Sequence, residues 1–158
     1  MTRVTGCRFL DLFAGSGAVG LEAWSRGADF VCWVEKDPRI AFVLRENVAA
    51  LCAPDNGSEP GICCGKTRVV TTDAARYIQK AAVEAPFDII FADPPYDDNR
   101  RNDWPRKILQ VLKASHILAE KGVFIAEQRA GEPFLGFDGW APAKEKVYGG
   151  TQLRFWEK

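Results

Sequence analysis

Four consecutive residues, Asp93-Pro94-Pro95-Tyr96, carry the clearest chemistry in the chain. An exocyclic amine on a nucleic-acid base is a poor nucleophile, because its lone pair is delocalised into the ring. Two acceptors aimed at its two N–H bonds favour the more tetrahedral form that can attack a methyl sulfonium. The Asp93 carboxylate and the Pro94 carbonyl can supply that pair. Pro94 and Pro95 fix φ and bring no backbone N–H to compete. Tyr96 offers an aromatic face on which a base drawn out of its stack can lie. A methyl donor that is already activated needs little acid–base work, so positioning and electrostatics carry the rate. A plain Pro-rich turn with Tyr96 packed as core is the bland reading of the same four residues.

The second constellation is Gly15-Ser16-Gly17-Ala18-Val19-Gly20, a G-x-G-x-x-G run between a strand-like and a helix-like segment. Glycines let the backbone turn sharply and approach a ligand, and the helix start favours an anionic group. Glu35 follows 20 positions after Gly15, where a carboxylate can accept both hydroxyls of a ribose. This much suits NAD, FAD or S-adenosylmethionine. Asp11 shifts the choice. A dinucleotide would bring its pyrophosphate close to that carboxylate, a repulsion of several kcal/mol or so in a partly dry pocket. S-adenosylmethionine instead brings an ammonium and a sulfonium. Asp73 and Ala74 can meet an adenine amino group and a ring nitrogen, although Asp73 serves equally well as a helix N-cap. The candidate cofactor residues are Asp11, Ala14, Gly15, Ser16, Gly17, Glu35, Lys36, Asp73, Ala74 and Asp93, with S-adenosylhomocysteine as product and no metal.

These residues need a scaffold that brings them to one place, and the hydrophobic pattern provides it. Strand-like runs at Cys7–Phe13, Phe30–Val34, Arg68–Thr72, Phe87–Ala92 and Gly122–Glu127 alternate with helix-like runs at Ser16–Arg26, Pro38–Leu51, Ala74–Val83 and Trp104–Leu118. Lys144–Tyr148 and Thr151–Trp156 form a hairpin around Gly149-Gly150. Apolar strands alternating with helices give a mostly parallel sheet covered on both faces, in one α/β domain spanning 1–158. In such sheets ligands bind at the carboxyl ends of the strands. Asp11 to Gly17, Glu35, Asp73 and Asp93 to Tyr96 therefore share one rim. The segment Ala53–Lys66 holds two Pro and three Gly and reads as a long loop.

Composition narrows the partners. Lys plus Arg and Asp plus Glu are 21 each, so a polyanion must be met by a local patch rather than by a global field. Arg100, Arg101, Arg106 and Lys107 follow the Asp-Pro-Pro-Tyr stretch and can hold phosphates beside an extruded nucleotide, against the alternative of a solvated helix entry. For Lys144, Lys146 and Arg154 on the hairpin the solvated reading is favoured. The five cysteines do not form paired C-x-x-C ligands, and His116 is the single histidine, which argues against zinc. Cys7 and Cys32 read as small core residues, Cys52, Cys63 and Cys64 as free thiols near a loop, and His116 as a capping or packing residue. With no signal-peptide pattern and no apolar run near the roughly 20 residues of a membrane span, a soluble, cytoplasmic protein is expected, and nothing calls for an obligate oligomer, so a monomer.

The run Phe9-Leu10-Asp11-Leu12-Phe13-Ala14-Gly15-Ser16-Gly17-Ala18-Val19-Gly20-Leu21-Glu22-Ala23 resembles the cofactor loop of bacterial methyltransferases that modify guanine N2 in small-subunit (16S) ribosomal RNA. Ser25-Arg26-Gly27-Ala28, Glu35-Lys36, Asp93-Pro94-Pro95-Tyr96 and Tyr148-Gly149-Gly150-Thr151 fit the same family, so the likeness covers nearly the whole chain. The first run is fairly specific to that family, whereas Asp-Pro-Pro-Tyr is shared with many DNA and RNA amino methyltransferases. The resemblance implies a Rossmann-like, class I S-adenosylmethionine-dependent methyltransferase fold with seven strands, the last antiparallel. It implies Asp11 and Gly15 to Gly17 around the methionine part, Glu35 at the ribose, Asp73 at the adenine and Asp93 to Tyr96 at the guanine. The substrate it implies is the small ribosomal subunit, whole or partly assembled. Family members usually carry a basic N-terminal extension with a short helix, whereas here only Met1 to Gly6 precede the first strand run. The competing readings are an adenine-N6 or cytosine-N4 methyltransferase, an NAD oxidoreductase, and a cofactor-binding module without catalysis.

Overall fold

The computed structural model describes residues 4–51, 66–80, 86–95, 104–132 and 142–157. In chain order the elements are β1 (Arg8–Asp11), α1 (Ala18–Ser25), β2 (Phe30–Glu35), α2 (Pro38–Leu51), β3 (Thr67–Thr71), α3 (Ala74–Lys80), β4 (Phe87–Ala92), α4 (Trp104–Lys113), β5 (Leu118–Arg129), β6 (Lys144–Tyr148) and β7 (Thr151–Glu157). The strands form one seven-stranded sheet in the order β3-β2-β1-β4-β5-β7-β6. β1 to β5 pair in parallel, and β7 runs antiparallel to both β5 and β6. The order reverses between β1 and β4, which opens a crevice beyond their carboxyl ends.

Two apolar layers hold the sheet. On one face Leu10, Leu12, Cys32, Val34, Ile90, Phe124 and Trp156 pack against Ala74, Tyr77 and Ile78 of α3 and Ile108, Leu109 and Leu112 of α4. On the other, Phe9, Val31, Trp33, Ile89 and Phe91 meet Ala23 of α1 and Leu44 and Val48 of α2. Cys7 and Cys32 are buried within these layers. Burial on both faces explains why the central strands read as unbroken apolar runs. α2 starts at Pro38, whose fixed φ suits a first helical position, and the Asp37 carboxylate accepts from Arg39 N at 2.8 Å.

The pattern-based boundary between α4 and β5 is corrected by the structure. The helix stops at Lys113 rather than at Leu118, and the strand starts at Leu118 rather than at Gly122. Ser115 N closes a tight turn onto Leu112 O at 3.1 Å, and Ile117 O accepts from Phe87 N at 2.7 Å, which draws the chain into the sheet. Phe87 then pairs with Leu118 while Ile89 pairs with Val123, so β5 bulges between them, with Lys121 at φ 65°. Gly122 is required there, because a Cβ would come within 2.8 Å of Ala119 O and of Leu118 Cδ1. His116 is exposed in the turn rather than packed. Of the Ala53–Lys66 loop only Lys66 is among the described residues; Cys52, Cys63 and Cys64 lie outside them.

Candidate active site

The carboxyl ends of β1, β2, β3 and β4 surround a cavity of about 810 Å³. Asp11, Ala14, Gly15, Ser16, Glu35, Lys36, Asp73, Ala74, Asp93, Pro94 and Pro95 all line it. Residues separated by more than eighty positions in sequence thus meet on one wall. Phe13, Ile40, Trp104 and Ile108 add apolar surface, with Phe13 and Trp104 edge to face at 5.7 Å between ring centroids.

The loop after β1 is held from several sides. Glu35 is buried, and its two oxygens accept from Gly15 N at 3.0 Å and Asp37 N at 2.8 Å. Ala14 N donates to Val34 O at 3.0 Å, and Asn47 Nδ2 donates to Ser16 O at 2.9 Å. Trp33 Nε1 donates to Gly17 O at 3.2 Å. The glycines divide the work. Gly15 has φ 53° and open space where a Cβ would stand, and it lines the cavity. Gly17, at φ 92°, does not line it; a Cβ there would collide with Leu44 Cδ1. Gly20 lies against the Trp33 indole in the same way. Two of the three glycines in the pattern therefore serve packing between elements. Trp33 and Asn47 went unrecognised in the sequence, because each acts through a contact across elements with no local pattern.

The acids on this wall are in different states. Asp11 is 2% exposed and accepts from Gly20 N at 3.3 Å. Burial, with smaller contributions from the charges of Asp93 and Glu35, pushes its carboxyl up to about 7 against the hydrogen bonds from Gly20 and Phe13. Asp73 is exposed and caps α3, its Oδ1 accepting from Ala75 N at 3.0 Å and Arg76 N at 3.1 Å. Asp73 thus serves as the N-cap and still reaches the cavity wall. Partial burial raises the Asp93 carboxyl above its ordinary value. No hydrogen bond to the Asp93 carboxylate is found among the described residues. Asp11, Glu35, Asp37, Asp73 and Asp93 face Lys36 and Lys107 across the cavity, an excess of negative charge suited to a cationic ligand.

Of the basic residues singled out for RNA, Lys107 lines the cavity, and Arg106 is exposed on α4 without lining it. Tyr96, Arg100 and Arg101 lie outside the described residues. Arg154 is buried and committed to the hairpin: it donates to Glu145 Oε1 at 3.0 Å, to Glu132 O at 2.7 Å and to Gln128 Oε1. Lys144 and Lys146 are exposed on the edge strand β6. Among the described residues no group of three or more His, Cys, Asp or Glu could hold a metal ion. None of their helices is long and apolar enough to cross a membrane.

A glycine loop braced by a strand-end carboxylate and a rim Asp-Pro-Pro, on this strand order, direct the comparison with known proteins. The family model described as Conserved hypothetical protein 95 matches residues 1–157. The chain belongs to that family. Its curated relatives include Ribosomal RNA small subunit methyltransferase D of Escherichia coli (strain K12), 29% identical over 157 residues, covering 98% of this chain and 70% of the relative. The protein of the same name from Haemophilus influenzae is 26% identical over 148 residues, covering 94% and 70%. Among solved structures, an Escherichia coli chain matches at a TM-score of 0.75 and 29% identity, covering 98% of this chain and 78% of that one. A Salinibacter ruber RNA methyltransferase solved with S-adenosyl-L-homocysteine matches at a TM-score of 0.66 and 16% identity, covering 98% and 82%. The family fold is thus the Rossmann-like fold of S-adenosylmethionine-dependent methyltransferases, with the antiparallel C-terminal strand expected from the sequence.

Proposed function

We propose that this chain transfers a methyl group from S-adenosylmethionine to the exocyclic N2 amine of a guanine in small-subunit ribosomal RNA. One observation carries the reading: the Asp93-Pro94-Pro95 stretch and the acid-lined glycine loop face the same cavity of about 810 Å³. The names of the curated relatives support the RNA substrate. The residues present fit the cofactor: the ionised Asp11 suits its ammonium, Glu35 and Asp73 suit its ribose and adenine amine, and the excess of carboxylates suits its sulfonium better than a pyrophosphate. When bound, S-adenosylmethionine supplies an electrophilic methyl group on sulfur.

The chain's own residues then orient the nucleophile. The Asp93 carboxylate and the Pro94 carbonyl accept the two N–H bonds of the guanine amine, which localises its lone pair and favours tetrahedral nitrogen. Asp93 also stabilises the positive charge that grows on that nitrogen. Phe13, Trp104 and Ile108 keep water from the apolar part of the cavity. Lys107 at the cavity, with Arg100 and Arg101 shortly after Tyr96 in the sequence, supplies charge for the RNA backbone.

The test is incubation of the purified chain with labelled S-adenosylmethionine and small ribosomal subunits that lack the modification. Label retained in the RNA is the expected result. Label absent from RNA, with the cofactor bound, would leave a binding module. Tight binding of NAD in preference to S-adenosylmethionine would overturn the cofactor assignment.

A further inference from the structure

Glu127 lies two residues before the end of β5 and does not line the cofactor cavity. Ala92 of β4 pairs with Ala126 of β5 in parallel register, so Asp93, the first residue past β4, comes beside Glu127, which is still within β5 and pairs with Leu153 of β7. Neighbours in such a register project from the same face of the sheet. Glu127 is half-buried and feels the charge of Asp93. Its carboxylate accepts a hydrogen bond from the Thr151 side chain. Thr151 begins β7, directly after the Tyr148-Gly149-Gly150 turn, whose Gly150 O accepts from Ala130 N at 2.9 Å. The closing hairpin thus anchors the end of β5 and holds one lone pair of Glu127, leaving the other acceptor sites of the carboxylate for a ligand.

The geometry points to Glu127 as the residue that selects guanine, its carboxylate accepting the base N1–H beside the amine held by Asp93 and Pro94. This rests on the proposed N2 methylation. The chemistry follows from the base edges. Guanine presents two adjacent donors, N1–H and the C2 amine. Beside their amines, adenine and cytosine instead present a ring-nitrogen lone pair, which a carboxylate repels. One acceptor at the amine activates any of the three; a second acceptor next to it accepts guanine alone. Burial and the charge of Asp93 raise the Glu127 carboxyl above its ordinary value, and the Thr151 hydroxyl acts against that rise, toward the ionised form that the second acceptor requires.

The test replaces the target guanine, once mapped with the wild-type chain, by 2-aminopurine, which keeps the C2 amine and carries a lone pair at N1. The wild type is expected to prefer guanine in kcat/KM by about 5- to 150-fold. Glu127→Gln, whose amide can donate to that lone pair, is expected to bring the ratio to within about threefold by slowing guanine and speeding 2-aminopurine, with S-adenosylmethionine affinity unchanged. Thr151→Val, which frees the carboxylate without removing it, is expected to lower the ratio less. A Glu127→Gln chain that slows both bases equally, or whose ratio stays at the wild-type value, would overturn the assignment and leave Glu127 a brace for the hairpin. A misfolded Glu127→Gln chain would pass the decision to Thr151→Val, where an unchanged ratio is the contrary result. Wild-type chain that methylates no guanine overturns the function reading itself, and that result is visible before any variant is made.

Discussion

The two halves of the sheet rim use their acids differently. Over β1, β2 and β3, Asp11, Glu35 and Asp73 each accept at least one backbone N–H, from Gly20, from Gly15 and Asp37, and from Ala75 and Arg76. They shape the loops they belong to before any ligand arrives. Over β4 and β5, Asp93 has no such partner among the described residues, and Glu127 is held by one hydroxyl from the hairpin. A carboxylate that braces its own loop is preorganised for a ligand bound in many turnovers, so cofactor binding and local stability are coupled on that half. A carboxylate left without backbone donors keeps its full acceptor capacity for a substrate amine, so turnover is separable from folding on the other half.

Asp93→Ala gives the sharpest separation. It is expected to lower kcat by about 10²–10³-fold while the cofactor Kd and the melting temperature stay close to wild type, measured by single-turnover transfer and calorimetry. Equal loss of cofactor affinity and turnover would erase the distinction between the halves. Glu35→Ala makes the opposite case. Two half-buried N–H groups lose their acceptor, at roughly 1–3 kcal/mol, so cofactor affinity is expected to fall by about 5- to 150-fold and the melting temperature to fall with it. Full affinity in that variant would place the ribose elsewhere.

Gly20→Ala probes the packing beneath the cofactor half. A Cβ there meets the Trp33 indole, so a loss of roughly 1–3 kcal/mol is expected in denaturant unfolding. A neutral effect would mean that Trp33 yields easily and is not a fixed support for Gly17 O. The smallest effect, read per single pH unit, is a pH dependence. The native chain keeps a proton on Asp11 up to about pH 7, whereas the unfolded chain releases it near its ordinary value of 3.8. Between those limits the native state binds more protons, so stability of the ligand-free chain falls as pH rises, by up to roughly 1.4 kcal/mol per pH unit, and levels off above about 7. Asp11→Asn should flatten that slope. Cofactor affinity in the wild type should rise across the same approach to pH 7, because the ionised carboxylate is the form that suits an ammonium.

The rim was legible in the sequence where strand periodicity and local motifs coincide. Apolar runs ending in Asp11, Glu35, Asp73 and Asp93 place these acids at strand ends, and a parallel α/β topology brings strand ends together. Side chains whose role comes from across the fold were not legible. Trp33 looks like any core aromatic until the loop carbonyl of Gly17 is seen beside its indole nitrogen. Glu127 is one more polar residue after GVFIA until the β4–β5 register sets it next to Asp93. The end of α4 was missed because Ile117 and Leu118 continue a helical spacing, while pairing with Phe87 decides the outcome in favour of the strand. Arg154 carries no local sign that its charge is consumed by Glu145, Gln128 and Glu132.

The most direct measurement is the identity of the methylated nucleoside. RNA from small ribosomal subunits, labelled by the wild-type chain and digested to nucleosides, should carry its label as N2-methylguanosine in mass analysis. Label in N6-methyladenosine or N4-methylcytidine would contradict the account, because Glu127, the second acceptor beside Asp93, would then face a ring-nitrogen lone pair.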